Sequence, residues 1–137
     1  MRKTMKIALM LVGMWLLTGC AKNDPFLVQG PSLDEQEQSA IIEELKTQKY
    51  IERATVVFID DDVLVATQIK PHLKWKKDKL EKKLQKKYEK LYEDRKVLVS
   101  TDYKIYYEAN KLLEQEKSEE KMEKELISLK KLAKEET

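Results

Sequence analysis

The stretch ATVVFIDDDVLVATQI, residues 54–69, constrains the fold more than any other part of the chain. Two β-branched, apolar runs, 54–59 and 63–69, flank three consecutive aspartates. β-Branched side chains suit a pleated surface and Asp favours tight turns through local hydrogen bonds, so the segment reads as a β-hairpin. Both runs stay apolar for much of their length. The sheet they begin is therefore expected to have one well-covered face and one partly covered. KVLVS, 96–100, supplies a third strand.

Helical periodicity surrounds these strands. Ser32-Leu33-Asp34-Glu35 has capping-box spacing, with Ser32 as the cap, and predicts a helix from about Leu33 to Tyr50 with Leu33, Ala40, Ile41 and Leu45 on one face. Pro71 opens a second helix, to about Asp94, whose stripe is Leu73, Leu80, Leu84, Tyr88 and Leu91. A last stretch from Tyr103 to Glu135 lacks glycine and proline and reads as one long helix or as two broken near 114–120. Its second half carries the stripe Met122, Leu126, Leu129 and Ala133. The order α-β-β-α-β-α predicts an α+β fold of two layers, with helices over one face of a small three-stranded sheet. Charged residues make up 38% of the chain, against three glycines and three prolines, a composition suited to helices with solvated faces.

The N-terminus gives an address. Arg2, Lys3 and Lys6 precede an uncharged run from Ile7 to Leu17. As a helix that run would span roughly 16 Å, half of the about 30 Å a hydrocarbon core requires, so it has signal-peptide rather than membrane-span length. It closes with Leu17-Thr18-Gly19-Cys20, which looks like a bacterial lipobox. On this reading residues 1–19 are a lipoprotein signal peptide and Cys20, the only cysteine, receives a diacylglycerol and becomes the new N-terminus. The protein is then held by lipid on the extracytoplasmic face of a membrane, without a transmembrane helix. Residues 20–32 form the lipidated N-terminus and a tether, in which Phe26, Leu27 and Val28 either pack on the domain or lie in the membrane interface. Fully extended, the tether would reach up to ~40 Å.

Charge narrows the partners. The net charge of +2 includes the leader, whose loss leaves 24 basic against 25 acidic side chains. A near-neutral exported protein has no global field for nucleic acid. A single histidine cannot build a histidine-based metal site, and no cofactor motif is present.

Four features carry chemistry worth weighing. Asp60-Asp61-Asp62 reads as a hairpin turn, with weak cation binding as the sharper alternative. Lysines crowd the second helix, and Lys76, Lys79, Lys83, Lys86 and Lys90, with Trp75, form a candidate face for anionic lipid or wall polymer. A solvated face laced with i,i+4 pairs such as Asp78–Lys82 is the plainer reading. Trp75 is either an interfacial anchor or packed over the sheet edge. Ser100-Thr101-Asp102 reads as a strand-to-helix cap rather than a catalytic group, because nothing places His72, the only histidine, within reach. No catalysis is expected.

The lipobox cysteine, the strand pair 54–69, the lysine-rich helix Lys74–Lys90 and KVLVSTDYKIYYEANKL, 96–112, together resemble the YhcN/YlaJ sporulation lipoproteins of endospore-forming Bacillota. The resemblance covers Ser39 to about Leu113 and implies a lipoprotein of spore membranes, an interaction protein in sporulation or germination with an envelope protein as partner. It also implies an α/β domain similar in order to BON domains. It implies no catalytic residues. The domain is placed at 33–113, followed by a charged helical tail, 114–137, which is free to pack, to pair with another copy or to bind a partner.

Overall fold

The computed structural model describes residues 25–115 and 117–135. The leader, the candidate lipidation site Cys20 and the tether as far as Asp24 lie outside them. The elements run β1 (Phe26–Gln29), α1 (Glu35–Lys46), β2 (Ile51–Ile59), β3 (Asp62–Ile69), a 3-10 turn (Pro71–Lys76), α2 (Lys77–Leu91), β4 (Lys96–Ser100), α3 (Tyr103–Glu114) and α4 (Glu119–Glu135).

The hairpin is present: β2 and β3 pair antiparallel from Ile59↔Asp62 at the turn to Ile51↔Ile69. Asp60 takes a φ of 51°, a left-handed turn conformation that aspartate tolerates better than most residues. β4 joins β3 in parallel. The sheet has four strands, not three, in the order β1-β2-β3-β4. The fourth comes from Phe26-Leu27-Val28, expected to be part of a tether. It pairs in parallel with β2, Phe26 opposite Ala54 and Gln29 opposite Val57, and Val28 is buried. Four residues beside Pro25 and Gly30 carry too little pattern to read as a strand alone. A longer neighbour supplies the pairing.

Both faces of the sheet are covered, so the fold has three layers rather than two. Ala54, Val56, Phe58, Val63, Val65 and Val99 pack with Leu45 of α1 and with Leu84 and Tyr88 of α2. The alternate residues Val57, Ile59, Leu64 and Ala66 pack with Ile105, Ala109 and Leu112 of α3 and with Leu126, Leu129 and Ala133 of α4. This is the period-2 alternation of a strand buried on both sides, which explains why both runs read as continuously apolar. A register shift between Ile51 and Arg53 lets Ile51 share the face of Ala54. Since α1 and α2 lie on one face while β2 and β3 run antiparallel, the crossovers β1-α1-β2 and β3-α2-β4 are of opposite hand. One of them departs from the usual right-handed rule.

The first helix starts later than its sequence suggests. Asp34, not Ser32, is its cap: the Asp34 carboxylate accepts from Glu37 N at 2.8 Å while Glu37 Oε2 accepts from Asp34 N at 3.2 Å. The second expected helix begins as the 3-10 turn, and the last is two helices. α3 follows β4, yet Asn110 reaches β2, where the Thr55 hydroxyl donates to Asn110 Oδ1 at 2.6 Å. Thr55, Ala66 and Ser100 occupy one row of the sheet, so α3 crosses the strands along that row. α4 lies nearer the hairpin turn, where Lys130 Nζ donates to Asp62 Oδ1 and to Lys96 O, both at 2.8 Å.

Candidate functional site

Pro71 begins the turn that carries Trp75. Its fixed φ and missing N–H suit a first helical position. The turn leaves Trp75 78% exposed, with the Lys76 ammonium 4.6 Å from the indole centroid. The chain then winds into α2, whose orientation is set by Leu84 and Tyr88, both buried, with Leu80 half-buried beside them. Helical geometry puts Lys79, Lys83, Lys86 and Lys90, spaced four, three and four apart, on the opposite side, and all four are exposed. The six predicted contact residues therefore form one continuous exposed surface, aromatic at the N-terminal turn of α2 and basic along its length. Of the two readings of Trp75, packing over the sheet edge is not what the structure holds.

A polar and aromatic cluster fixes this surface to the rest of the molecule. The Tyr88 hydroxyl donates to Glu44 Oε2 at 2.7 Å, and Lys87 Nζ lies 2.8 Å from Glu44 Oε1, which ties α2 to α1. Tyr92 stacks on Tyr88 at 6.2 Å and meets Phe58 edge-on at 5.3 Å. Burial, reinforced by the Glu44 carboxylate, pushes the Tyr88 phenol well above its ordinary range and that of Tyr92 up to about 12.

Sequence reasoning missed how α2 covers β4. Gln85 Nε2 donates to Val97 O at 2.8 Å, and Gln85 Oε1 accepts from Val99 N at 2.7 Å. One turn earlier, Glu81 Oε2 accepts from Thr101 N at 2.8 Å and from the Thr101 hydroxyl. These two side chains occupy the strand edge as another strand would, which protects it from pairing with a second chain. The signal was an i,i+4 pair of amide and carboxylate in a lysine-rich helix, indistinguishable in sequence from a solvated face. Lys130 was missed in the same way. It is buried despite its charge because Asp62 and a carbonyl receive it.

Of the residues weighed for catalysis or metal binding, Ser100, Thr101, Asp102 and Asp62 have structural partners. Asp102 caps α3, accepting from Lys104 N at 2.8 Å and Ile105 N at 3.3 Å. Thr101 is held by Glu81, and His72 is exposed on the 3-10 turn. Of the acidic triplet, Asp62 is engaged by Lys130. Among the described residues, no group of three or more His, Cys, Asp or Glu side chains is placed to hold a metal ion, and no helix is long and apolar enough to cross a membrane.

The family model for sporulation lipoprotein YhcN/YlaJ matches residues 29–124, which span α1 through α3 and reach into α4. No curated protein and no solved structure matches the chain.

Proposed function

Since the chain belongs to the sporulation lipoprotein YhcN/YlaJ family, we propose that it is a non-catalytic interaction protein of the spore membrane or envelope, acting in sporulation or germination and held on the extracytoplasmic face by a diacylglycerol on Cys20. The observation that carries this reading is the family match across most of the folded domain. The leader supports the anchor: three basic residues, an apolar run and Leu17-Thr18-Gly19-Cys20 follow one another in the order a lipobox requires. Two acyl chains bury enough CH₂ groups, at about 0.8 kcal/mol each, for a stable hold on the bilayer. The structural roles of Thr101, Asp102 and Asp62 support a body that presents surfaces rather than a reaction site.

A second reading is favoured by one observation, the exposed surface formed by Trp75, Lys76, Lys79, Lys83, Lys86 and Lys90. On it the protein is a general envelope module that binds anionic lipid or wall polymer through the lysine helix. Quantitative membrane proteomics of spores against growing cells separates the two. Enrichment in spore membranes is the expected result, and a protein confined to growing cells removes the sporulation role while leaving the second reading in place.

A further inference from the structure

The two ends of the sheet differ in charge, in exposed aromatic side chains and in where the chain leaves. Pro25 O accepts from Ala54 N at 3.0 Å, which puts the start of the described chain level with the beginning of β2 and the end of β3. The segment 47–50, the 3-10 turn and Asp102 lie at that same end, because β3 and β4 run parallel and both finish there. Its loops hold Lys49, Lys70, Lys74 and Lys76, and their one acid, Asp102, is spent on capping α3. The loops of the opposite end hold Asp34, Asp60, Asp61, Glu93 and Asp94, with Arg95 as their cation, although Lys96 of β4 and Lys130, Lys131 and Lys134 of α4 stand around Asp62 there. Trp75 stands out at the first end. Tyr103 and Tyr107, 69% and 53% exposed, lie a turn apart in the first half of α3, which starts where β4 ends. They stay outside the groove where Lys104, Glu108 and Lys111 face α4.

Resting on the anchoring through Cys20 proposed above, we infer that this basic, aromatic end of the sheet is the surface that lies on an anionic phospholipid bilayer, with the hairpin end, where acids and lysines mix, pointing away. The length of chain before the described residues fixes the choice. Cys20 precedes Pro25 by five positions, so the linker spans at most ~17 Å, less than half the reach expected of a full twelve-residue tether. The opposite end is about 26 Å further along the nine residues of β2, beyond that linker. Trp and Tyr favour the headgroup region, and lysines there gain from an anionic surface. Lys79 to Lys90 then climb away from the bilayer over roughly 16 Å, which leaves the upper part of the ridge for a partner or polymer.

The test uses the protein purified from its own cell membranes, as processed there, in vesicles of phosphatidylglycerol and phosphatidylcholine, with bromine on the lipid near the headgroup as quencher. The difference between wild type and Trp75→Phe isolates the signal of Trp75, whatever becomes of Trp15. Trp75 should be quenched and blue-shifted. A reporter at the far end, Glu93→Trp in the Trp75→Phe background, should not be. Each of Lys49→Gln, Lys74→Gln and Lys76→Gln should lower the docked-to-undocked ratio about fivefold. Circular dichroism confirms that each variant is folded.

Equal quenching at both positions, or at position 93 alone, overturns the orientation. So does quenching as strong on phosphatidylcholine alone. No quenching while the protein stays on vesicles, or protection of Trp75 by wall polymer instead, overturns the membrane contact and leaves the anchor standing. Protein that leaves the vesicles with an unmodified Cys20 ends both readings.

Discussion

Gly30 shows how one residue determines whether β1 can join the sheet. A Cβ added there would lie 2.5 Å from Phe58 O and 2.7 Å from Phe58 Cβ, and the backbone oxygen cannot swing aside. Gly30→Ala should therefore cost about 1–3 kcal/mol, read as a lower urea midpoint with an unchanged slope. The buried phenols set a second residue-scale expectation. Above pH 10 the unfolded chain releases its tyrosine protons while folded Tyr92, raised to about 12, retains its own. The unfolded state then binds fewer protons, so stability is intact below pH 10 and declines as pH rises towards about 12. Thermal melts across that window should show the decline, and Tyr92→Phe should make it shallower.

Among the elements, the edges and the C-terminal helix matter most. Gln85→Ala would leave Val97 O and Val99 N without their side-chain partner at a half-covered edge, for about 1–3 kcal/mol. The bared strand should also promote self-association, visible by light scattering. Ending the chain at Gln115 removes Leu126, Leu129 and Ala133 from the face that holds Val57, Ile59 and Leu64. Such a chain should bind a hydrophobic dye and lose cooperative unfolding. Although Ala40 and Leu91, read into two stripes, are exposed and the α3 face of Ile105, Ala109 and Leu112 went unread, the hairpin strands were legible as β-branched apolar runs and the other helices by their stripes. β1 was not, because four residues cannot state a period. The second helical layer was not either. The α4 stripe and the continuously apolar strands were both visible, yet nothing local says that one covers the other. The exposed basic surface was legible as composition. Its division into an exposed ridge and an edge-covering pair, Glu81 and Gln85, required the rotation of α2 fixed by Leu84 and Tyr88.

At the scale of the whole molecule, residues 20–137 carry almost no net charge, yet their loops differ in charge from one end of the sheet to the other. Loop lysines gather where the chain leaves for Cys20, and loop acids gather at the hairpin turn, where Lys96 and the lysines of α4 partly offset them. Net charge hides this, since β-strand topology sorts loops by end while sequence mixes them. A membrane anchor gives such a polarity a direction, and the family of sporulation lipoproteins gives it a setting. The most direct measurement is mass spectrometry of the N-terminal peptide of the protein recovered from spore membranes. The account predicts a peptide that begins at residue 20 with a diacylglyceryl thioether on its sulfur. A free thiol at Cys20, or a chain found in the aqueous fraction with its leader attached, would contradict it.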